Sequence, residues 1–167
     1  KRNGFEEYNK QHIKNAIFFD LDKNSKKDTD LPHMLIDKKS WENIVSNMGI
    51  KNDDQIIVYD NSDVISSCRC WYNFIYFGHN PNLIKVLDGG LKKWVSEKKP
   101  TTIDIVNNEP SHYSANEKIE LVKNKAQINE NILTKEFLVI DARSKERFEG
   151  VVPEPRKGLK SGSINNS

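Results

Sequence analysis

The chain has 167 residues, of which 36% are hydrophobic and 30% are charged, and it carries a formal net charge of +2. No apolar run approaches the roughly 20 residues that a membrane-spanning helix requires, and lysines are scattered among acidic residues instead of forming a basic face that follows phosphates. Composition and charge therefore favour a soluble globular protein and argue against membrane insertion or nucleic-acid binding.

The first third of the chain is predicted to contain two helices and one strand. The polar stretch 5–11 suits a short helix, and the apolar run 16–19 predicts a strand. Residues 20–33 form a polar loop. Apolar side chains then recur at helical spacing over 40–48, with Ser40 as the predicted N-cap.

The middle of the chain alternates strands and helices. The continuous apolar run 56–59 predicts a strand buried on both faces, and an amphipathic helix over 66–77 is predicted to end at Gly78. Residues 83–87 predict another strand, and 91–97 another helix. This alternation indicates an α/β fold with a mainly parallel sheet flanked by helices.

Periodicity also suggests how the chain is divided. We predict an α/β domain over residues 1–100 and a polar linker over 101–135 that wraps the surface. A second unit then starts within 136–167, where the apolar run 138–140 predicts a strand.

Two cysteines, Cys68 and Cys70, are too few and too close for a disulfide framework, so a reducing compartment is the simpler assumption. Both fall on the predicted helix 66–77. Positions two apart on a helix point in different directions, so they make a poor metal pair, and we predict no metal site. We expect both to be core or half-buried thiols.

A short pattern occurs twice along the chain. Phe-Glu-Glu-Tyr at 5–8, followed by His-Ile-Lys-Asn-Ala at 12–16, parallels Arg-Phe-Glu-Gly at 147–150, followed by Ser-Ile-Asn-Asn-Ser at 163–167. The second copy has an insertion at 151–158, and a strand with Asp-Ala-Arg precedes it that the first copy lacks. We therefore expect a tandem repeat that is cut at both ends.

These motifs resemble the rhodanese family. Its domain opens with a strand, Asp-x-Arg, an aromatic-bearing helix and Gly-His-Ile-x-Gly-Ala; here 11–16 read Gln-His-Ile-Lys-Asn-Ala, with Gln and Asn where glycine is usual. The family's Leu-Asp-Gly-Gly-x-x-x-Trp element is matched by residues 87–94. Segments 18–35 and 141–156 are similar to the tandem-domain members, in particular to the 3-mercaptopyruvate branch. The resemblance covers nearly the whole chain.

The resemblance implies that residues 1–100 are a non-catalytic N-terminal rhodanese domain and that 136–167 open the catalytic one. In the family the nucleophilic Cys follows a buried strand, and a loop of inward-pointing backbone N–H groups stabilises its thiolate and persulfide. Asp60 occupies that position here. The catalytic Cys and a partner Ser are therefore expected beyond Ser167, and the chain alone is expected to be inactive.

The resemblance also implies four functional residues. Asp22 and His33 match a pair that, with a Ser of the second domain, handles the proton as sulfur leaves the substrate. A loop His is otherwise more often a solvated surface residue. Arg147 and Arg156 match the arginines that hold the carboxylate of mercaptopyruvate, since a guanidinium can bind a carboxylate through two parallel hydrogen bonds. The alternative for these arginines is a surface ion pair, for example with Glu154.

The implied reaction moves sulfane sulfur from 3-mercaptopyruvate to a cysteine, as a persulfide, and on to cyanide or to a thiol acceptor such as thioredoxin, without a cofactor. Arg156 favours this donor over thiosulfate. A thiosulfate sulfurtransferase stays open, as does a non-catalytic rhodanese-like binding module whose Asp60 loop is a degenerate anion pocket. No targeting segment is visible, and we expect a cytoplasmic protein, or a mitochondrial one in a eukaryote.

Overall fold

The computed structural model describes residues 2–62, 66–155 and 158–167, which form two compact units, Lys1–Leu121 and Val122–Ser167. The regular elements of the first unit are, in chain order, α1 (Gly4–Lys10), β1 (His12–Ile13), α2 (Lys38–Asn47), β2 (Ile56–Val58), α3 (Ser66–Tyr76), β3 (Ile84–Val86), α4 (Gly90–Ser96), β4 (Thr101–Thr102) and a short 3₁₀ helix (Ile119–Leu121). Within the described ranges, no helix combines the length and apolarity needed to cross a membrane.

A parallel strand pair with a crossover helix forms the centre of the first unit. β2 and β3 pair in parallel, with Ile56 opposite Ile84 and Val58 opposite Val86, and α3 connects them. This β-α-β arrangement confirms the predicted α/β class. The prediction that β2 is buried on both faces is wrong, because Ile57 faces a cleft instead of a packed helix and is 59% exposed.

A second, antiparallel pair joins distant parts of the first unit. His12 of β1 lies opposite Thr102 of β4. The His12 ring is buried and stacks on Tyr8 at 3.9 Å, and its two nitrogens lie 2.7 Å from the carbonyl oxygen of Tyr8 and 3.0 Å from that of Asp104. His12 therefore ties α1 to the chain after β4.

The start of α2 differs from the expected one by three residues. Asp37, not Ser40, is the N-cap: its carboxylate accepts the Ser40 backbone N–H at 3.0 Å and the Ser40 hydroxyl at 2.7 Å. Sequence could not decide between two good capping residues this close together. The helix buries Trp41 and Val45, four residues apart on one face.

The core of the first unit is aromatic. Trp41 stacks on Phe77 with ring centroids 4.6 Å apart and meets Phe74 edge-on at 4.9 Å. Tyr113 and Ala115, from the segment expected to be a surface linker, are also buried in this core. Residues up to Leu121 consequently belong to the first compact unit.

The second unit contains two helices, α5 (Lys125–Thr134) and α6 (Lys145–Phe148). Asn124 and Gln127 form a reciprocal capping box at the start of α5. Neither predicted strand at 16–19 or 138–140 belongs to a ladder in the described residues. A strand needs a paired neighbour, and the side chains of Leu138 and Ile140 are 90% and 85% exposed.

Candidate functional site

The loop between β1 and α2 carries the two predicted relay residues and brings them together. His33 Nε2 lies 2.8 Å from Asp22 Oδ1, and both side chains are exposed to solvent. The negative charge of the carboxylate at this distance favours a proton on Nε2, which leaves Nδ1 as the proton acceptor. A ring fixed in this tautomer is suited to move one proton between two partners.

Short-range hydrogen bonds give this loop its shape. Asp20 accepts the Lys23 backbone N–H at 2.9 Å, and the Lys26 N–H donates to the carbonyl of Met34 at 2.9 Å, which closes the loop near its end. The buried Ser25 hydroxyl donates a hydrogen bond to a backbone carbonyl near the start of the loop. A polar loop with these internal bonds can stay folded without an apolar core of its own.

A cleft of about 1050 Å³ opens beside the loop in the first unit. Asp22 and His33 line one part of it, and residues of α1, β2 and the start of α3 line the rest. The relay pair therefore borders a space large enough for a small molecule or an extended segment.

Asp60 follows β2 and the residue after it, and its carboxylate is held by the start of α3. Oδ2 accepts the Ser67 backbone N–H at 2.7 Å and the Ser66 hydroxyl at 3.1 Å, while Oδ1 accepts the Ser62 N–H at 3.1 Å. Burial acts to raise the pKa of Asp60, but the hydrogen bonds from Ser67, Ser62 and Ser66 outweigh it and lower the pKa below its ordinary value.

The Asp60 carboxylate therefore occupies hydrogen-bond donors that could otherwise bind an anionic ligand. A second anion beside it would meet a like charge, which argues against a degenerate anion pocket at this loop. Gly90 is needed here, because its φ is +54° and a Cβ would lie 2.7 Å from the Asp60 carbonyl oxygen. Residues 63–65 of the loop lie outside the described residues.

In the second unit, Glu154 binds two arginines. It accepts from Arg147 Nη2 at 2.5 Å and from Arg143 Nη1 at 2.7 Å, and its side chain is only 5% exposed. Arg143 also donates from Nε to Asp141 at 2.9 Å. Hydrogen bonds from Arg143 lower the pKa of Asp141 to about 2. The cluster alternates acid and base, so Arg147 is held in place by a buried carboxylate.

Arg156, the remaining predicted site residue, lies outside the described residues. Both cysteines are expected to be core or half-buried thiols, and this is wrong for Cys68, which is exposed on α3. Cys70 is buried, and its burial raises the pKa of the thiol to about 12. A thiol that stays protonated is a poor nucleophile, so Cys70 is unsuited to catalysis.

Comparison with known proteins identifies the family. Residues 2–97 match the rhodanese-like domain. The chain belongs to the rhodanese family. It is 37% identical to thiosulfate/3-mercaptopyruvate sulfurtransferase 1, mitochondrial, of Arabidopsis thaliana over 100% of this chain and 49% of the relative. It is 33% identical to 3-mercaptopyruvate sulfurtransferase of Mus musculus over 99% of this chain and 56% of the relative.

Solved structures of the family agree in fold. The 3-mercaptopyruvate sulfurtransferase SseA from Escherichia coli superimposes with a TM-score of 0.86 at 28% identity, over 99% of this chain and 61% of that one. The predicted rhodanese fold and family are thus confirmed. The chain spans about half the length of the curated relatives it matches.

Two features of this rhodanese chain were missed by sequence reasoning. Glu154 was considered only as one partner of a surface ion pair, and its burial between two arginines was not foreseen. Arg69, on α3, was not singled out, although its guanidinium Nη2 donates to the backbone carbonyl of His33. The only sequence signal for Arg69 is that it is the one charged residue of its helix and lies between two cysteines.

Proposed function

We propose that this chain is part of a tandem-domain sulfurtransferase that takes sulfane sulfur from 3-mercaptopyruvate onto a cysteine, as a persulfide, and passes it to cyanide or to a thiol such as thioredoxin. The observation that carries the proposal is the Asp22–His33 pair, 2.8 Å apart at the edge of a cleft. It occurs in a chain whose full-length relatives bear the names of mercaptopyruvate and thiosulfate sulfurtransferases.

The proposed step moves one proton from the substrate thiol to the carbon of the leaving group. A cysteine thiolate attacks the sulfur of mercaptopyruvate, the carbon–sulfur bond breaks, and its electron pair stays on carbon as the enolate of pyruvate. The substrate thiol loses a proton and the enolate gains one at carbon. His33 carries that proton, and Asp22 holds the ring in the tautomer that accepts it. No cofactor enters the reaction.

Arg147 is proposed to hold the substrate carboxylate together with Arg156. Glu154 occupies Nε and Nη2 of Arg147, at 3.4 Å and 2.5 Å. Nη1 makes no hydrogen bond to any described residue, so one edge of the guanidinium is available to an anion. The buried Glu154 thus fixes the direction in which Arg147 presents its charge.

The nucleophile is proposed to be a cysteine outside this chain. The position that follows β2 and the residue after it holds Asp60, whose carboxylate cannot carry sulfane sulfur. Cys70 is buried with a raised pKa, and Cys68 lies within α3, past the loop whose N–H groups would stabilise a thiolate. This chain alone is accordingly expected to release no pyruvate.

Two further attributes follow as proposals. A thiolate nucleophile requires a reducing compartment, which suits the cytosol or, as one relative's name specifies, the mitochondrion. Thiosulfate is the second candidate donor, because the same Arabidopsis relative is named for both donors.

The test uses the longest natural polypeptide that contains this chain. Steady-state rates are measured with 3-mercaptopyruvate and with thiosulfate, for the natural protein and for the His33→Gln and Arg147→Met variants. We expect a higher kcat/KM with mercaptopyruvate, a kcat lowered about 100-fold or more in His33→Gln, and a raised KM in Arg147→Met. A higher kcat/KM with thiosulfate would favour the second donor, and no turnover of either would favour a binding module.

A further inference from the structure

We infer that Arg69 is a positioning residue that sets the direction of the His33 ring. The inference rests on the proposed role of His33. Arg69 lies on α3 and donates from Nη2 to the backbone carbonyl of His33, which joins residues 36 apart in the sequence. No other described side chain bonds to the peptide groups of His33.

The backbone of His33 needs such an anchor. Its φ is +57°, in the left-handed region that residues with a Cβ avoid. A residue keeps this conformation only where its surroundings hold it. In the described residues His33 has two polar interactions: the hydrogen bond from Arg69 to its carbonyl and the ion pair between its ring and Asp22.

These two bonds act on different parts of the same residue. The Arg69 bond fixes the peptide plane that follows the His33 Cα, and with it the direction in which Cα–Cβ leaves the chain. The Asp22 carboxylate then selects the rotamer and the tautomer of the His33 ring. Both His33 and Asp22 have exposed side chains, so without the anchor the ring would be free to leave the carboxylate.

Arginine suits the task for two reasons. Its long planar fork reaches from a helix to a loop carbonyl, and it stays charged at every working pH, so the anchor does not titrate together with the ring it positions. α3 itself is rigid, because Phe74 and Tyr76 of the same helix are buried in the core. The anchor therefore transmits the fixed position of α3 to the polar loop that carries His33.

The direct test is nitrogen NMR of this chain with labelled histidine. In the natural chain, His33 is expected to show the Nε2–H tautomer. Arg69→Met, which keeps the length without a donor, is expected to shift His33 to the averaged signals of a free imidazole, and Arg69→Lys is expected to restore part of the tautomer preference. Asp22→Asn serves as the reference for a broken pair with Arg69 intact.

The buried rings of His12 and His79 report on folding in the same spectrum. If their signals move in Arg69→Met, Arg69→Leu is measured in its place. An unchanged His33 signal in a folded variant without a donor at position 69 overturns the positioning role, as does a free-imidazole signal in the natural chain.

The activity of the longer polypeptide separates this inference from the proposed function. Arg69→Met is expected to lower kcat about tenfold at constant KM, a smaller loss than in His33→Gln. If His33→Gln keeps full activity while the Arg69 variants still release the His33 ring, the proposed function fails and the positioning role stands.

Discussion

Replacement of Asp60 tests whether a carboxylate completes the loop after β2. Asp60→Ala leaves the Ser67 backbone N–H without its 2.7 Å acceptor, and Ser67 is buried. The Ser62 N–H and the Ser66 hydroxyl lose their acceptor too, but they are partly exposed and can turn to water. The main loss is thus one charge-assisted bond to a buried donor.

The magnitude follows from that bond. Loss of a helix-capping acceptor costs about 1–2 kcal/mol, and a hydrogen bond to a charged group contributes about 1.5–3 kcal/mol. Relief of the partial burial of the carboxylate offsets part of this loss. We expect Asp60→Ala to lower the free energy of unfolding by about 2 kcal/mol. Asp60→Asn, which keeps one acceptor oxygen, should lower it by about 1 kcal/mol.

Urea unfolding followed by tryptophan fluorescence measures both values, since Trp41, Trp71 and Trp94 all lie in the first unit. The pKa of Asp60 is lowered in the folded chain, so its stabilisation is present above the ordinary carboxyl pKa and is lost as the pH falls through the folded pKa. Asp60→Asn should lack that acid-dependent loss. An Asp60→Ala variant with the same free energy of unfolding as the natural chain would refute the reasoning.

Three further outcomes are expected. Under native conditions iodoacetamide should modify Cys68 and not Cys70, whose pKa is raised to about 12, and equal modification by mass spectrometry would contradict the burial of Cys70. His12→Ala should lower the free energy of unfolding by about 2–4 kcal/mol in urea, because a buried ring with two bonded nitrogens is lost, whereas exposed His112→Ala should change it little. The pKa of Asp141 in the folded chain is about 2, against an ordinary value of 3.8. Its ion pair therefore stabilises the second unit above about pH 4, and this stabilisation is lost towards pH 2. Asp141→Asn should remove that step from an acid titration followed by amide NMR.

Local patterns predicted most of the first unit. Helical spacing placed α2 and α3 within three residues of their observed bounds, and Asp-Gly-Gly correctly marked the turn into α4, where Gly89 and Gly90 both have positive φ. These elements are specified by their own residues. The α2 cap was less certain, because Asp37 and Ser40 were both suitable and only the fold selects one.

Properties that depend on distant partners were harder to foresee. The exposure of Ile57 depends on what covers β2, and the lack of a ladder at 138–140 depends on a partner strand. Neither is encoded in the local pattern. For the same reason the Arg69 bond to His33 escaped detection, since it joins a helix to a loop across 36 residues.

The predicted relay pair came from the resemblance, not from spacing, and the structure places the two side chains in contact. Their catalytic role stays a prediction, as does substrate binding by Arg147 and Arg156. In the structure, the Asp60 carboxylate accepts hydrogen bonds from its own loop, and Glu154 orients Arg147.

Sulfur transfer from mercaptopyruvate to a cysteine outside this chain can be followed in a single-turnover reaction of the longest natural polypeptide. Pyruvate release is quantified, and the site that gains one sulfur atom is located by mass spectrometry after thiol blocking. We expect one pyruvate per polypeptide and sulfur on a cysteine other than Cys68 or Cys70. Sulfur on Cys68, or pyruvate without any sulfur bound to the protein, would contradict it.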